Sequence, residues 1–140
     1  MRMGSITTEE RVSELIEQLI AVVGEKGVVA GDSLRERATS YWNSSPTQAI
    51  ALIKPASTEE VSRVLACCYE RDQSVVVQGG LTGVVAGAES SGHDVIISLE
   101  RMNQIESIDE QEGVATVQAG VVLQTLQEEL ALKGLLFPLD

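Results

Sequence analysis

The residues with the clearest chemical potential lie in one stretch, Val75-Val76-Val77-Gln78-Gly79-Gly80-Leu81-Thr82-Gly83-Val84-Val85-Ala86-Gly87. Three consecutive β-branched valines suit a short buried strand, and the glycines that follow permit backbone angles that a Cβ would forbid. Such a loop can turn successive N–H groups into one concavity and hold an anion without a charged side chain, so phosphate is its natural ligand. No Lys or Arg occurs from Asp72 through Glu100, which leaves backbone dipoles and hydroxyls such as Thr82 to carry the binding.

The stretch fits neither well-known phosphate signature. A dinucleotide fingerprint needs glycines at i, i+2 and i+5, but Leu81 stands two after Gly79 and Thr82 two after Gly80. Gly87 and Gly92 have the P-loop spacing, yet His93-Asp94 follow where a lysine and a hydroxyl residue should stand, which argues against nucleotide triphosphate hydrolysis. The plainer alternative is a turn joining two strands.

Elements to position this loop are legible on both sides. Thr7-Thr8-Glu9-Glu10 resembles a capping box, and Val12, Leu15, Ile16, Leu19, Ile20 and Val23 follow at helical spacing up to Gly24. Residues 24–48 read as a long irregular segment carrying Tyr41 and Trp42. Residues 49–53 form a short apolar run ending at Lys54-Pro55, as a buried strand would. Ser57 and Glu60 then cap a helix with Val61, Val64, Leu65 and Cys68 on its apolar stripe, leading to the Val75 strand. The expectation is a compact βαβ unit of two paired parallel strands, with the glycine loop at the carboxyl edge where ligands of such layers collect.

Downstream, residues 95–99 read as another strand, and residues 105–108 and 114–117 as a hairpin around Asp109-Glu110-Gln111-Glu112-Gly113. Gly120 precedes a third helix through Val122, Leu123, Leu126 and Leu130 toward Lys133-Gly134. The predicted class is α+β, a small parallel βαβ layer followed by the start of a mixed or antiparallel sheet with helices. Residues 1–48 are read as an amino-terminal helix and lead-in, and residues 49–140 as the first part of a ligand-binding domain. The apolar run before Asp140 suggests that the natural chain continues.

Composition narrows the partners. Against 10 basic residues stand 21 acidic ones, and a net charge of −11 disfavours nucleic acid and anionic membrane surfaces. Aromatic residues make up only 3% of the chain, so the core must be aliphatic and base-stacking surfaces are scarce. No segment reads as a membrane span or a targeting leader, which sets cytoplasmic residence as the expectation. Cys67 and Cys68 are adjacent, which suits neither a disulfide framework nor a zinc site; one should face the core and the other turn partly away. Glu100-Arg101 could form an ion pair, and Arg101 could approach a phosphate.

A resemblance joins these segments. Residues 77–83, Gly87, residues 97–103 (Ile-Ser-Leu-Glu-Arg-Met-Asn), residues 119–123 (Ala-Gly-Val-Val-Leu) and Phe137-Pro138-Leu139-Asp140 together resemble the FAD-binding domain of the vanillyl-alcohol oxidase and p-cresol methylhydroxylase superfamily, in order and spacing over residues 40–140. The D-lactate and D-2-hydroxyglutarate dehydrogenase branch is the nearest match. The resemblance implies that Gly79, Gly80, Leu81, Thr82, Gly83 and Gly87 wrap the FAD pyrophosphate, that Val77 and Gln78 line the entrance, and that Pro138, Leu139 and Asp140 begin a second flavin-contacting segment. It also implies a D-2-hydroxy acid such as lactate, glycolate or 2-hydroxyglutarate as substrate in a longer protein, with a homo-oligomer possible.

Two departures bear on the loop. Relatives often carry three consecutive glycines where this chain has Gly79-Gly80-Leu81, and an arginine where Gln78 stands. Some attach flavin through a loop histidine, but none occurs between Gln78 and Gly87, which implies non-covalent FAD. His93, the only histidine, is not nominated for a role, and no residue of the chain is assigned to catalysis or metal binding. A non-catalytic nucleotide-binding or interaction module is the alternative.

Overall fold

Thr7 opens the first helix with a reciprocal cap. Its Oγ1 accepts from the Glu10 N–H at 3.2 Å, and its own N–H donates to the Glu10 carboxylate at 2.7 Å. These hydrogen bonds from Thr7 hold the Glu10 carboxyl below its ordinary pKa. Helix α1 (Thr8–Val23) buries Leu15, Leu19 and Val23, and ends at Gly24, whose φ of 76° a side chain would resist. These observations come from a computed structural model that describes residues 7–139.

A short 3-10 turn (Glu25–Gly27) leads into strand β1 (Val28–Ala30), and a one-turn helix α2 (Asp32–Arg35) follows. The remaining sheet strands are β2 (Ala51–Ile53), β3 (Val75–Gln78) and β4 (Val95–Ser98), with helix α3 (Thr58–Tyr69) between β2 and β3. Ser57 caps α3 by accepting from the Glu60 N–H, while the Glu60 carboxylate takes the Ala56 N–H. The sheet order is β1-β2-β4-β3, with β1 antiparallel to β2 and the other pairs parallel.

Two expectations are corrected here. Residues 24–48 are not wholly irregular, because Val28, Val29 and Ala30 add an edge strand in register with Ile53, Leu52 and Ala51. Nor do β2 and β3 pair with each other. Strand β4 lies between them, and both Ala51 and Val75 align with Val95. The buried β4, apolar from Val95 to Ile97 and closed by Ser98, fills the central place that helix α3 leaves open as it crosses from β2 to β3.

The two faces of the sheet follow from the period of two along each strand. Ala51, Ile53, Val95 and Ile97 meet Leu15, Leu19 and Val23 of α1 and Val64 and Cys68 of α3. On the other face Leu52 and Ile96 pack with Leu34 of α2. Both clusters are aliphatic apart from the Cys68 thiol, as the scarcity of aromatic residues requires. Cys68 is buried and Cys67 partly exposed, the division expected from their helical offset, and burial pushes the Cys68 thiol up to about 11.

After β4 the chain forms an antiparallel hairpin of β5 (Ile105–Asp109) and β6 (Val114–Val117), with a register shift between Ile105 and Ser107. Helix α4 (Leu123–Leu132) follows and buries Leu126 and Leu130. Between β6 and α4 the backbone crosses the end of β4, where Gly120 donates to the Met102 carbonyl at 2.8 Å. A Cβ on Gly120 would overlap the Leu99 carbonyl.

Candidate phosphate-binding loop

Strand β3 ends at Gln78, and β4 begins again at Val95, so residues 79–94 connect two neighbouring parallel strands from the carboxyl end of one to the amino end of the other. The first part of this connection lines a groove of about 500 Å³, bounded by residues 79–89 on one side and by Ser40, Trp42 and Asn43 on the other. Its glycines do not serve the purpose read from the sequence. The left-handed positions are held by Leu81 (φ 60°) and Ala86 (φ 59°), whereas Gly79, Gly80, Gly83 and Gly87 have no positive φ. A Cβ built on any of those four meets nothing within 4 Å. What their missing side chains provide is access to the backbone.

That backbone is rich in unused donors. Among the described residues, none of the amides of residues 79–88 donates a hydrogen bond within the protein, although several carbonyls of the same loop accept one. Tyr41 N–H donates to the Leu81 carbonyl at 3.1 Å, and the Trp42 indole Nε1–H to the Thr82 carbonyl at 3.1 Å. Gln78, which is buried, donates from Nε2 to the Ala88 carbonyl at 2.9 Å and so ties the two ends of the loop together. A run of free N–H groups on a loop whose carbonyls are engaged elsewhere suits a negatively charged, multiply accepting ligand.

Charge near the loop comes from remote parts of the chain. Arg37, Tyr41, Gly80 and Leu81 share a second, shallower concavity of about 370 Å³. The Arg37 guanidinium lies 2.9 Å from Glu100, which also accepts from the Ser98 hydroxyl at 3.0 Å and sits 3.3 Å from the Lys54 ammonium. Partial burial pushes the Glu100 carboxyl up, but hydrogen bonds from Ser98 and Arg37, the Arg37 charge and Lys54 together hold it below its ordinary value. Glu100 therefore does not pair with Arg101. The Arg101 guanidinium instead donates to the Lys54 carbonyl at 2.8 Å and the Val23 carbonyl at 3.5 Å, bracing α1 against the strand ends.

The candidates from the sequence are only partly gathered. Gly79, Gly80, Leu81, Thr82, Gly83 and Gly87 line the groove together. Val77 is exposed beside it, but the Gln78 side chain points inward as a clamp instead of lining the entrance. Pro138 and Leu139 do not line the groove; they follow α4, where the Gln127 amide donates to the Leu139 carbonyl, and Asp140 lies outside the described residues. His93 sits at the amino end of β4, away from the groove, its carbonyl accepting from Gln73 and its neighbour Asp94 held by Ser74 and Ser91. Arg37, Trp42 and Asn43 are the residues that sequence reasoning missed. Only the unusual Tyr41-Trp42 pair in an aromatic-poor chain hinted at them.

The groove and its amides fit the diphosphate of a dinucleotide such as FAD. The loop supplies several unpaired backbone donors and a threonine, Thr82, along the groove, and the one carboxylate on the rim, Glu89, accepts from Asn43 Nδ2 at 3.4 Å. Among the described residues, no cluster of metal-binding side chains occurs, and no helix is long and apolar enough to cross a membrane.

Comparisons with known proteins show the family and the fold. The chain is 38% identical over 120 residues to the mitochondrial D-2-hydroxyglutarate dehydrogenase of Arabidopsis thaliana, covering 85% of this chain and 22% of that one. It is 36% identical over 132 residues to a D-lactate dehydrogenase of Anaerostipes hadrus, covering 91% and 27%. The chain thus spans about a quarter of the length of these relatives. Its fold is shared with alkyldihydroxyacetonephosphate synthase, at a TM-score of 0.75 and 20% identity over 96% of this chain and 28% of that one. It is shared likewise with p-cresol methylhydroxylase, at a TM-score of 0.69 and 20% identity over 94% and 26%. The family described as FAD binding domain matches residues 49–140, from two residues before β2 through the glycine loop and past α4. The chain belongs to that FAD binding domain family.

Proposed function

We propose that this chain is the FAD-binding portion of a flavin-dependent dehydrogenase or oxidase acting on a D-2-hydroxy acid such as lactate, glycolate or 2-hydroxyglutarate. The carrying observation is the run of unpaired amides at residues 79–88, set in a glycine-lined groove at the carboxyl edge of the sheet. The names of the relatives, D-lactate and D-2-hydroxyglutarate dehydrogenases, support the substrate class. Residues 49–140 are read as the first part of the FAD-binding domain and residues 1–48 as the lead-in packed against it.

In this reading Gly79, Gly80, Leu81, Thr82, Gly83 and Gly87 bind the diphosphate through backbone N–H groups and the Thr82 hydroxyl. Gln78 holds the loop closed, Val77 flanks it, and Pro138, Leu139 and Asp140 open a second contacting segment. FAD supplies the hydride-accepting ring, while the protein supplies binding and orientation. We read attachment as non-covalent, since no histidine occurs in the loop between Gln78 and Gly87. The chain contributes no group that we assign to catalysis. Large apolar side chains are exposed at Leu132, Leu136 and Leu139, and self-association through them belongs to the same proposal. Cytoplasmic residence is our reading of the compartment, to be decided by fractionation, because several relatives carry a mitochondrial designation.

An optical titration tests the reading. The purified protein should show flavin absorbance or take up added FAD with quenching of flavin fluorescence, and acid precipitation should release the flavin intact. A colourless protein that takes up no FAD would overturn the proposal and favour a non-catalytic interaction module.

A further inference from the structure

The tip of residues 40–43 belongs to a hairpin-like excursion whose two sides are fastened to each other. Thr47 N–H donates to the Arg37 carbonyl at 2.8 Å, and both the N–H and the hydroxyl of Thr39 donate to the Ser45 carbonyl at 2.9 Å. Ala38 bridges Pro46 in antiparallel fashion, and Thr39 and Thr47 are buried. Across the tip, Ser40 N–H donates to the Asn43 carbonyl, and Asn43 N–H to the Ser40 hydroxyl, each at 3.1 Å. The Tyr41 and Trp42 rings meet edge to face at 4.9 Å. Although both rings are exposed, the tip that carries them is tied by the backbone amides of Ser40, Tyr41 and Asn43.

Among the described residues, the hydrogen bonds from this tip to residues 79–89 all end on acceptors of that segment: the Leu81 carbonyl, the Thr82 carbonyl and the Glu89 carboxylate. Every described peptide bond is trans, so a carbonyl drawn to one side sends the next N–H to the other. Binding the Leu81 and Thr82 carbonyls to Tyr41 and Trp42 therefore turns the N–H groups of Thr82 and Gly83 away from those two contacts and leaves them free. It also secures Leu81 in a left-handed conformation that a leucine does not adopt by preference.

We propose that the hairpin tip is a positioning element of the phosphate loop and that Trp42, through its indole N–H on the Thr82 carbonyl, is its positioning residue. Its consequence for cofactor affinity rests on the flavin reading, whereas its consequence for loop order does not. Trp42→Phe keeps an aromatic ring and removes the donor, and Trp42→His restores a ring N–H. Loss of one such bond is worth about a threefold to tenfold weakening of FAD binding.

Two measurements on the intact protein decide it. Backbone 15N order parameters of residues 79–83, taken without ligand, should fall in Trp42→Phe and recover in part in Trp42→His, while the thermal unfolding of both variants matches the parent. The FAD dissociation constant should follow the same order. Order parameters in Trp42→Phe equal to those of the parent would overturn the proposal, as would equal FAD affinity in a parent that binds FAD. A parent that binds no FAD defeats the flavin reading alone, and the order parameters still decide the role of the hairpin.

Discussion

Gly80 and Gly120 are both places where a side chain is missing, for opposite reasons. Around Gly80 the structure leaves open space at the edge of a groove, so a Cβ would meet no protein atom. Around Gly120 the backbone of Leu99 and Met102 closes in, and a Cβ would overlap a carbonyl. The first glycine keeps a surface clear for a ligand, while the second lets two chain segments cross. A glycine motif therefore has no single meaning, and the neighbours of the absent Cβ distinguish binding from packing.

Substitution should separate the two. Gly120→Ala forces a backbone shift at a half-buried, sterically closed crossing and should cost about 3 kcal/mol in urea unfolding, the upper range for overpacking. Stability within about 0.5 kcal/mol of the parent would show that the crossing yields easily. Gly80→Asp should leave unfolding almost unchanged but bring a carboxylate to the diphosphate. With like charges about 4 Å apart in a partly screened groove, FAD affinity should fall by about a hundredfold, read by flavin fluorescence. Unaltered affinity would place the phosphates elsewhere.

A smaller effect sharpens the contrast beside the loop, at the ion pair of Arg37. The Glu100 carboxyl has a lowered pKa in the folded protein, so its pairing with Arg37 and Lys54 contributes stability above the ordinary glutamate value of 4.5. That contribution is lost as pH falls through the folded pKa. Glu100→Gln should cost about 1 kcal/mol at neutral pH, discounted for solvent screening, and flatten the stability profile below the ordinary value. An unchanged acid profile would remove Glu100 as its source. The smallest change is expected for Leu81→Gly, where relief of the left-handed φ is offset by glycine's greater freedom when unfolded, for a net gain of no more than about 0.5 kcal/mol. A clear loss of stability would mean that the leucine side chain packs in a way that outweighs its backbone.

These contrasts also mark what a sequence can convey. The long helices were legible in their apolar periodicity and caps, with Thr7 and Ser57 placed correctly, and strands β2 and β4 in their short apolar runs. Strand β1 was not, because three residues between Gly27 and Gly31 carry no period, and only pairing with Ala51–Ile53 makes them a strand. The glycine loop announced itself because its chemistry is local. Its supports did not, since Trp42 reaches Thr82 across 40 positions and Arg37 reaches Glu100 across 63. The insertion of β4 between β2 and β3 was equally hidden, as two parallel strands joined by a helix read the same whether they touch or leave a gap.

That insertion has a kinetic side. While a nascent chain has only β2, α3 and β3, neither parallel strand has its partner, and the glycine loop hangs from an unpaired β3. The sheet closes only when β4 is delivered, pairing Ala51 with Val95 across 44 positions, and the same event closes the loop. Contacts of such long separation make for slow assembly. Loop closure and pairing of the parallel strands therefore depend on the same arrival of β4, and a molecule captured by the loop would stabilise the central strands as well.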